Sequence, residues 1–167
     1  LRQILSDHGK DDPRNLFNRM VFTQAITAFE AYFCDTLIVR VLSEADTMKA
    51  IVSKDGKLSE ARFPLLSILE NPDLVKKEIE IRLKARLYHK VEEVACLYHN
   101  ALGVKISPDR KALEHLKAAI GFRHDCVHRN GVDKEGNRLK NITKDYVLET
   151  LDVVECFADH TQNQIKP

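Results

Sequence analysis

The segment NLFNRMVFTQAITAFEAYFCDTLIVRVLS, residues 15–43, decides the fold class. Wound as a helix, it is apolar around most of its circumference, which predicts a central helix. The preceding DDPRN supplies start signals, two acids and Pro13 near the first turn. A polar line of Thr23, Thr27, Glu30 and Cys34 runs along the same segment at helical spacing.

The rest of the chain extends this helical pattern. Residues 44–63 read more weakly, with a turn at Asp55-Gly56 and a short helix before it. A short helix then breaks at Asn71-Pro72, and one long helix is expected from about Asp73 to about Leu102, ending at Gly103. Ser107-Pro108 reads as a cap followed by Pro at the first turn of the next helix, which stops at Asn130-Gly131. A polar loop with a hairpin-like turn at Glu135-Gly136-Asn137 leads to a last helix capped by Thr143. There is no internal repeat or low-complexity segment. The expectation is all-α, a bundle of four to five helices forming a single domain over residues 1–167.

Composition agrees. A chain of 167 residues is long enough for its own core. With only 6 Gly and 5 Pro, long helices are favoured over a turn-rich sheet. A net charge of +1 does not announce a nucleic-acid binder, so any such function must rest on a local patch. Lys76, Lys77, Arg82, Lys84, Arg86 and Lys90 make one segment basic; Asp145, Glu149, Asp152, Glu155 and Asp159 make the last helix acidic. Solvated helix faces explain both, and the basic face also offers a track for phosphates. Cys34, Cys96, Cys126 and Cys156 include no C-x-x-C pair, which speaks against a zinc ribbon or thioredoxin-type site and for free thiols. No signal peptide and no bilayer-length apolar run is visible, so a cytoplasmic protein with no membrane partner is expected.

The chemistry concentrates in GFRHDCVHRNG, residues 121–131. On a helical wheel Leu113, Leu116, Ile120 and Val127 form the expected inward stripe, with His124 inside it and Arg123 and His128 on its flanks. At about 100° per residue, Arg123 and His128 lie roughly 140° apart. Asp125, Cys126 and Arg129 are expected off that stripe, Asp125 solvated or pairing locally with Arg129. A planar, permanently charged guanidinium suits a phosphate, and a histidine in the last turn can move a proton near neutral pH. Together they form a minimal kit for cutting RNA without a metal, since the ribose 2′-OH is an internal nucleophile. One His does not readily serve as both base and acid; a two-fold dimer would supply two.

RHDCVH, residues 123–128, resembles the signature of the HEPN domains: an Arg, a polar residue, and a closing His. Arg123 and His128 match the two ends and His124 the polar position. The place of the motif near the end of a penultimate long helix, and the HRNG ending, also match. The resemblance covers the architecture of most of the chain but only six residues of sequence. It implies a dimerising helical bundle whose composite cleft is a metal-independent RNA endonuclease, of the kind found in toxin–antitoxin, phage-defence and RNA-processing systems. It makes Arg123 and His128 catalytic, with His124 in support; beside it, the polar line of the central helix offers Glu30 to orient Arg123, and Arg129 and Asn130 at the helix end are expected on the RNA. The implied partners are RNA, a second copy, and an antitoxin or defence-system protein, with no cofactor. Some toxins of the family carry a modifiable Tyr two residues after the His; here that position is Asn130.

Blander readings stand beside these. Arg123 could form a structural ion pair with Glu30 or Asp35. His124 and His128 are spaced i, i+4, compatible with a metal, but no third ligand follows at diagnostic spacing. His89, Glu93, Cys96 and Asn100 share a face that reads as a solvated stripe. The alternative function is a non-catalytic HEPN-like module binding RNA, a nucleotide or a protein partner. A metal-dependent hydrolase is the third class.

Overall fold

A computed structural model describes residues 1–165. Among them nine helices occur and no strand: α1 (Arg2–His8), α2 (Leu16–Ser43), α3 (Ala45–Lys54), α4 (Gly56–Ser59), α5 (Leu65–Glu70), α6 (Leu74–Lys84), α7 (Val91–Leu102), α8 (Arg110–His128) and α9 (Lys144–Gln164). The all-α class stands, but the helices are more numerous than four or five. Among the described residues no helix is long and apolar enough to cross a membrane. The described residues pack as two compact units, one made of Leu1–Glu30 with residues 106–165, the other of Ala31–Lys105.

Helix α2 contributes to both units. Val21, Phe22, Ala25, Ile26 and Phe29 are buried in its first half, and Phe33, Leu37, Ile38 and Val41 in its second. This is one continuous stripe at three- and four-residue steps. The opposite face, with Gln24, Thr27, Ala31, Asp35 and Val39, is exposed, so the helix is not enclosed on all sides as its composition predicts. Its start is set by Asn15, whose side-chain oxygen accepts from Asn18 N at 2.9 Å, rather than by Pro13.

In the first unit, α2 packs aromatic rings on α9. Phe29 meets Phe157 edge-on at 5.8 Å, and Phe22 lies 5.9 Å from Tyr146. Asn18 is fully buried and fully used: its Nδ2 donates to Lys10 O (2.6 Å) and Ile142 O (3.2 Å), and its Oδ1 accepts from Lys10 N. It ties two loops to α2. Helix α8 starts at Asp109, which accepts from Ala112 N at 2.8 Å, two residues beyond the expected Ser107 cap. Thr143 caps α9 as predicted. Between them, Val132 and Arg138 form an antiparallel bridge around the turn at Gly136. Asp133 organises that turn by accepting from Asn137 N and, more weakly in effect, Glu135 N, contacts that hold its carboxyl below the ordinary carboxylate range.

In the second unit the long helix expected over residues 73–102 is two, α6 and α7, parted at residues 85–90. No Gly or Pro causes the break. Tyr88 turns inward, is 5% exposed, and donates its hydroxyl to Leu83 O at 3.1 Å, occupying a carbonyl at the end of α6. Arg86 pairs with Asp55 at 2.5 Å. Burying one aromatic ring here offsets the few backbone bonds lost from a continuous helix. Tyr98, fully buried on α7, donates to Phe33 O at 2.8 Å and packs its ring on Phe33.

Replacing Asn18 by Ala leaves Lys10 O and Ile142 O without their donor, so destabilisation of at least about 2 kcal/mol is expected by urea denaturation. Gln24→Ala, on the exposed face of the same helix, is expected within about 0.5 kcal/mol of the parent.

A second prediction concerns pH. His115 Nε2 lies 3.0 Å from Thr150 Oγ1, whose own proton goes to Tyr146 O, so the ring donates through Nε2. Its ring stacks on Tyr146 at 4.9 Å. Burial, helped by Lys111 and opposed by Glu149, holds its pKa below the ordinary 6.5. The unfolded chain therefore takes up this proton first as pH falls. Stability is expected to be lost below about pH 6.5 and down through the folded value, and His115→Gln is expected to flatten that part of a melting-temperature profile.

Candidate active site on helix α8

Helix α8 buries Ala112, Leu116 and Ala119, and the same stripe continues through the half-buried Arg123 and Cys126. These positions step by four and three. This inward face is rotated from the one the wheel predicts. Val127 is 50% exposed and His124 is exposed, whereas Cys126, expected off the stripe, is on it. The face is set by what α8 meets in space: Leu116 is fully buried between Ala112 and Ala119, while Leu113 and Ile120 sit half-buried at its edge.

Arg123 is thus drawn inward while His128 stays exposed in the last turn. The Nε of Arg123 is buried without a hydrogen-bond partner. No carboxylate among the described residues of its own unit pairs with Arg123, so the ion pair with Glu30 is not formed. Glu30, half-buried on α2, keeps other interactions within the protein. The rings of His124 and His128 lie 4.6 Å apart, tilted by 46°. Among the described residues no group of three or more His, Cys, Asp or Glu side chains is placed to hold a metal ion.

The end of the helix is built to hold this register. Asn130 takes φ 51° and Gly131 φ 78°, both left-handed, and Gly131 N donates back to Asp125 O at 3.0 Å. That bond reaches six residues back, so Asp125 O accepts from both Arg129 N and Gly131 N and closes the helix across the two left-handed residues. The two residues expected on RNA are engaged locally: Asn130 accepts from Arg19, and Arg129 Nη1 pairs with Asp125 at 2.5 Å. Asp125 therefore pairs locally, and at 16% side-chain exposure it is not solvated.

Arg19 is the residue that sequence reasoning misses. From α2 its Nη1 donates to both Asn130 O (2.8 Å) and Asn130 Oδ1 (2.9 Å), pinning the end of α8. A side chain at Gly131 would lie 3.2 Å from the same nitrogen, so glycine serves both the backbone angle and the approach of Arg19. Nothing in the local pattern around Arg19 marks it, because its partner is 111 residues away. Leu16, Arg19, Met20, Thr23, Cys126, Val127 and Asn130 line an open cavity of about 180 Å³ beside the motif.

Burial pushes the Cys126 thiol up to about 11, against the opposing charge of Arg19. A thiol so placed is a poor nucleophile at neutral pH. In a thiol-reagent assay of the folded chain at pH 8, the exposed Cys96 and Cys156 are expected to react first, and Cys126 at least about tenfold more slowly until the protein is unfolded.

None of the protein-family models, curated proteins or solved structures compared with this chain matches it.

Proposed function

We propose that the chain is a metal-independent RNA endonuclease of the HEPN type, acting as a homodimer with Arg123 and His128 at a composite cleft. The observation that carries this reading is Arg123: a half-buried guanidinium whose buried Nε has no acceptor and whose charge has no carboxylate partner among the described residues of its own unit. Keeping such a charge uncompensated costs stability, and an external anion removes the cost. A phosphodiester is the anion that the fork of Arg fits, and His128 stands exposed five residues on.

The reaction follows from these groups. The 2′-oxygen attacks the adjacent phosphorus as a histidine takes its proton. The bond from phosphorus to the 5′-oxygen breaks, and a second histidine gives that oxygen a proton. The products are a 2′,3′-cyclic phosphate and a 5′-hydroxyl. Arg123 stabilises the charge on the non-bridging oxygens. The second histidine is the partner subunit's His128. A dimer is favoured by the face of α8 that carries Ile120, His124 and Val127, where an apolar residue stays 50% exposed beside the histidines. Asn130, held by Arg19 where some toxins of the family carry Tyr, gives no hydroxyl to modify. A role in a toxin–antitoxin or defence system, with a matching protein partner, belongs to the same proposal.

Purified chain is expected to cut an oligoribonucleotide in the presence of EDTA. Arg123→Ala and His128→Ala are each expected to lower the rate by at least about 10²-fold with an unchanged circular-dichroism spectrum. Cleavage that survives both substitutions sinks the assignment. RNA bound but uncut by the parent chain returns the reading to a non-catalytic binding module.

A further inference from the structure

A second cationic site lies wholly within the Ala31–Lys105 unit, and the proposed cleavage chemistry does not use it. Lys57, Arg82, Ala85 and Arg86 line an open pocket of about 180 Å³. Carboxylates orient both guanidinium groups. Arg82 Nε donates to Glu78 Oε1 at 2.5 Å, and its Nη1 to Lys57 O at 3.3 Å. Arg86 Nη2 donates to Asp55 Oδ2 at 2.5 Å, while Asp55 Oδ1 accepts from Lys57 N and Leu58 N at 3.1 Å each. Arg82 Nη2, Arg86 Nη1 and Lys57 Nζ keep no acceptor among the described residues. Three cations line the pocket; Glu78 and Asp55 pair with two of them, and the nearby Glu93 pairs with Lys90 at 2.8 Å. The field reaches beyond it: Glu93, held below the ordinary carboxylate range chiefly by Lys90, is also lowered by Arg86 and Lys57.

Pre-oriented guanidinium nitrogens with a mobile ammonium beside them are the donor set for a phosphate. The paired carboxylates hold the forks still, so less side-chain freedom is lost when an anion arrives. The alternative role for Arg82 and Arg86 is to complement the carbonyl end of α6. That role requires no pocket and no Lys57.

We infer that the Lys57/Arg82/Arg86 pocket binds a backbone phosphate of single-stranded RNA, at a site separate from Arg123 and His128. The inference takes its choice of phosphate source from the endonuclease reading. It is tested in a His128→Ala background, where the RNA stays intact, by measuring affinity for a fluorescent oligoribonucleotide across a salt series. Lys57→Gln with Arg82→Gln is expected to weaken binding about 10-fold near 0.1 M salt and to lower the logarithmic salt slope by about 1.4, two contacts at about 0.7 each. Lys57→Gln alone, an exposed substitution that leaves the Arg pairs intact, is expected to lower the slope by about half as much. Unchanged affinity and slope overturn the inference, including the case where the double variant only melts earlier. Polyglutamate that competes as well as unlabelled RNA also overturns it, since the site would then read carboxylates. The two readings fail separately. A parent chain that binds RNA through Lys57 and Arg82 but never cuts it keeps the pocket and loses the nuclease. One that cuts RNA with a slope indifferent to these residues does the reverse.

Discussion

The fold depends on the buried stripe of α2. Phe22, Ile26 and Phe29 are inaccessible to water in its first half, as are Phe33, Leu37 and Val41 in its second. Each such side chain contributes roughly 1.5–3 kcal/mol by burial. Both compact units draw on this one helix, the first through the rings of Phe22 and Phe29 and the second through Phe33 and its contact with Tyr98. The polar contacts serve the same helix. Asn18 secures the loops beside its first turns, and Arg19, one residue on, reaches the end of α8.

That last contact joins the core to the candidate site. The final turn of α8 would otherwise fray, because its last carbonyls lack partners within the helix. Here the return bond from Gly131 N to Asp125 O closes it, and Arg19 holds Asn130 in place. His128 is the last residue of the helix, so its position is set by the cap that follows it and by a side chain from α2. Arg123 is placed differently, by the buried stripe of Ala112, Leu116 and Ala119 that it continues.

The arginines show how the molecule handles charge. Arg2 pairs with Asp152 and Glu155, Arg82 with Glu78, Arg86 with Asp55 and Arg129 with Asp125. Most of these pairs are partly exposed and each adds little stability, but they hold side chains in fixed orientations. Arg19 and Arg123 are both half-buried, each with a buried Nε that has no acceptor, but Arg19 Nη1 donates to Asn130. That difference underlies the reading of Arg123 as an anion site, while the paired Arg82 and Arg86 serve as oriented donors around Lys57.

The sequence by itself determined the helical class, the bounds of α2 and α9, the Thr143 cap and the left-handed stop at Asn130-Gly131. These follow from periodicity and from residues whose backbone preferences act locally. It also isolated Arg123 and His128, because an arginine and a histidine flanking an apolar stripe violate the local pattern. Only the tertiary structure decided which face of α8 turns inward, since burial depends on the neighbours the helix meets: Ala112 and Ala119 are buried beside Leu116 while Val127 is half exposed. It alone divided residues 73–102 into α6 and α7, because the break rests on burying Tyr88 rather than on any breaker residue. It alone brought Arg19 to Asn130 and Lys57 to Arg82, pairs 111 and 25 residues apart. Local preference is carried by neighbours along the chain. Charge placement and face selection are settled by neighbours in space.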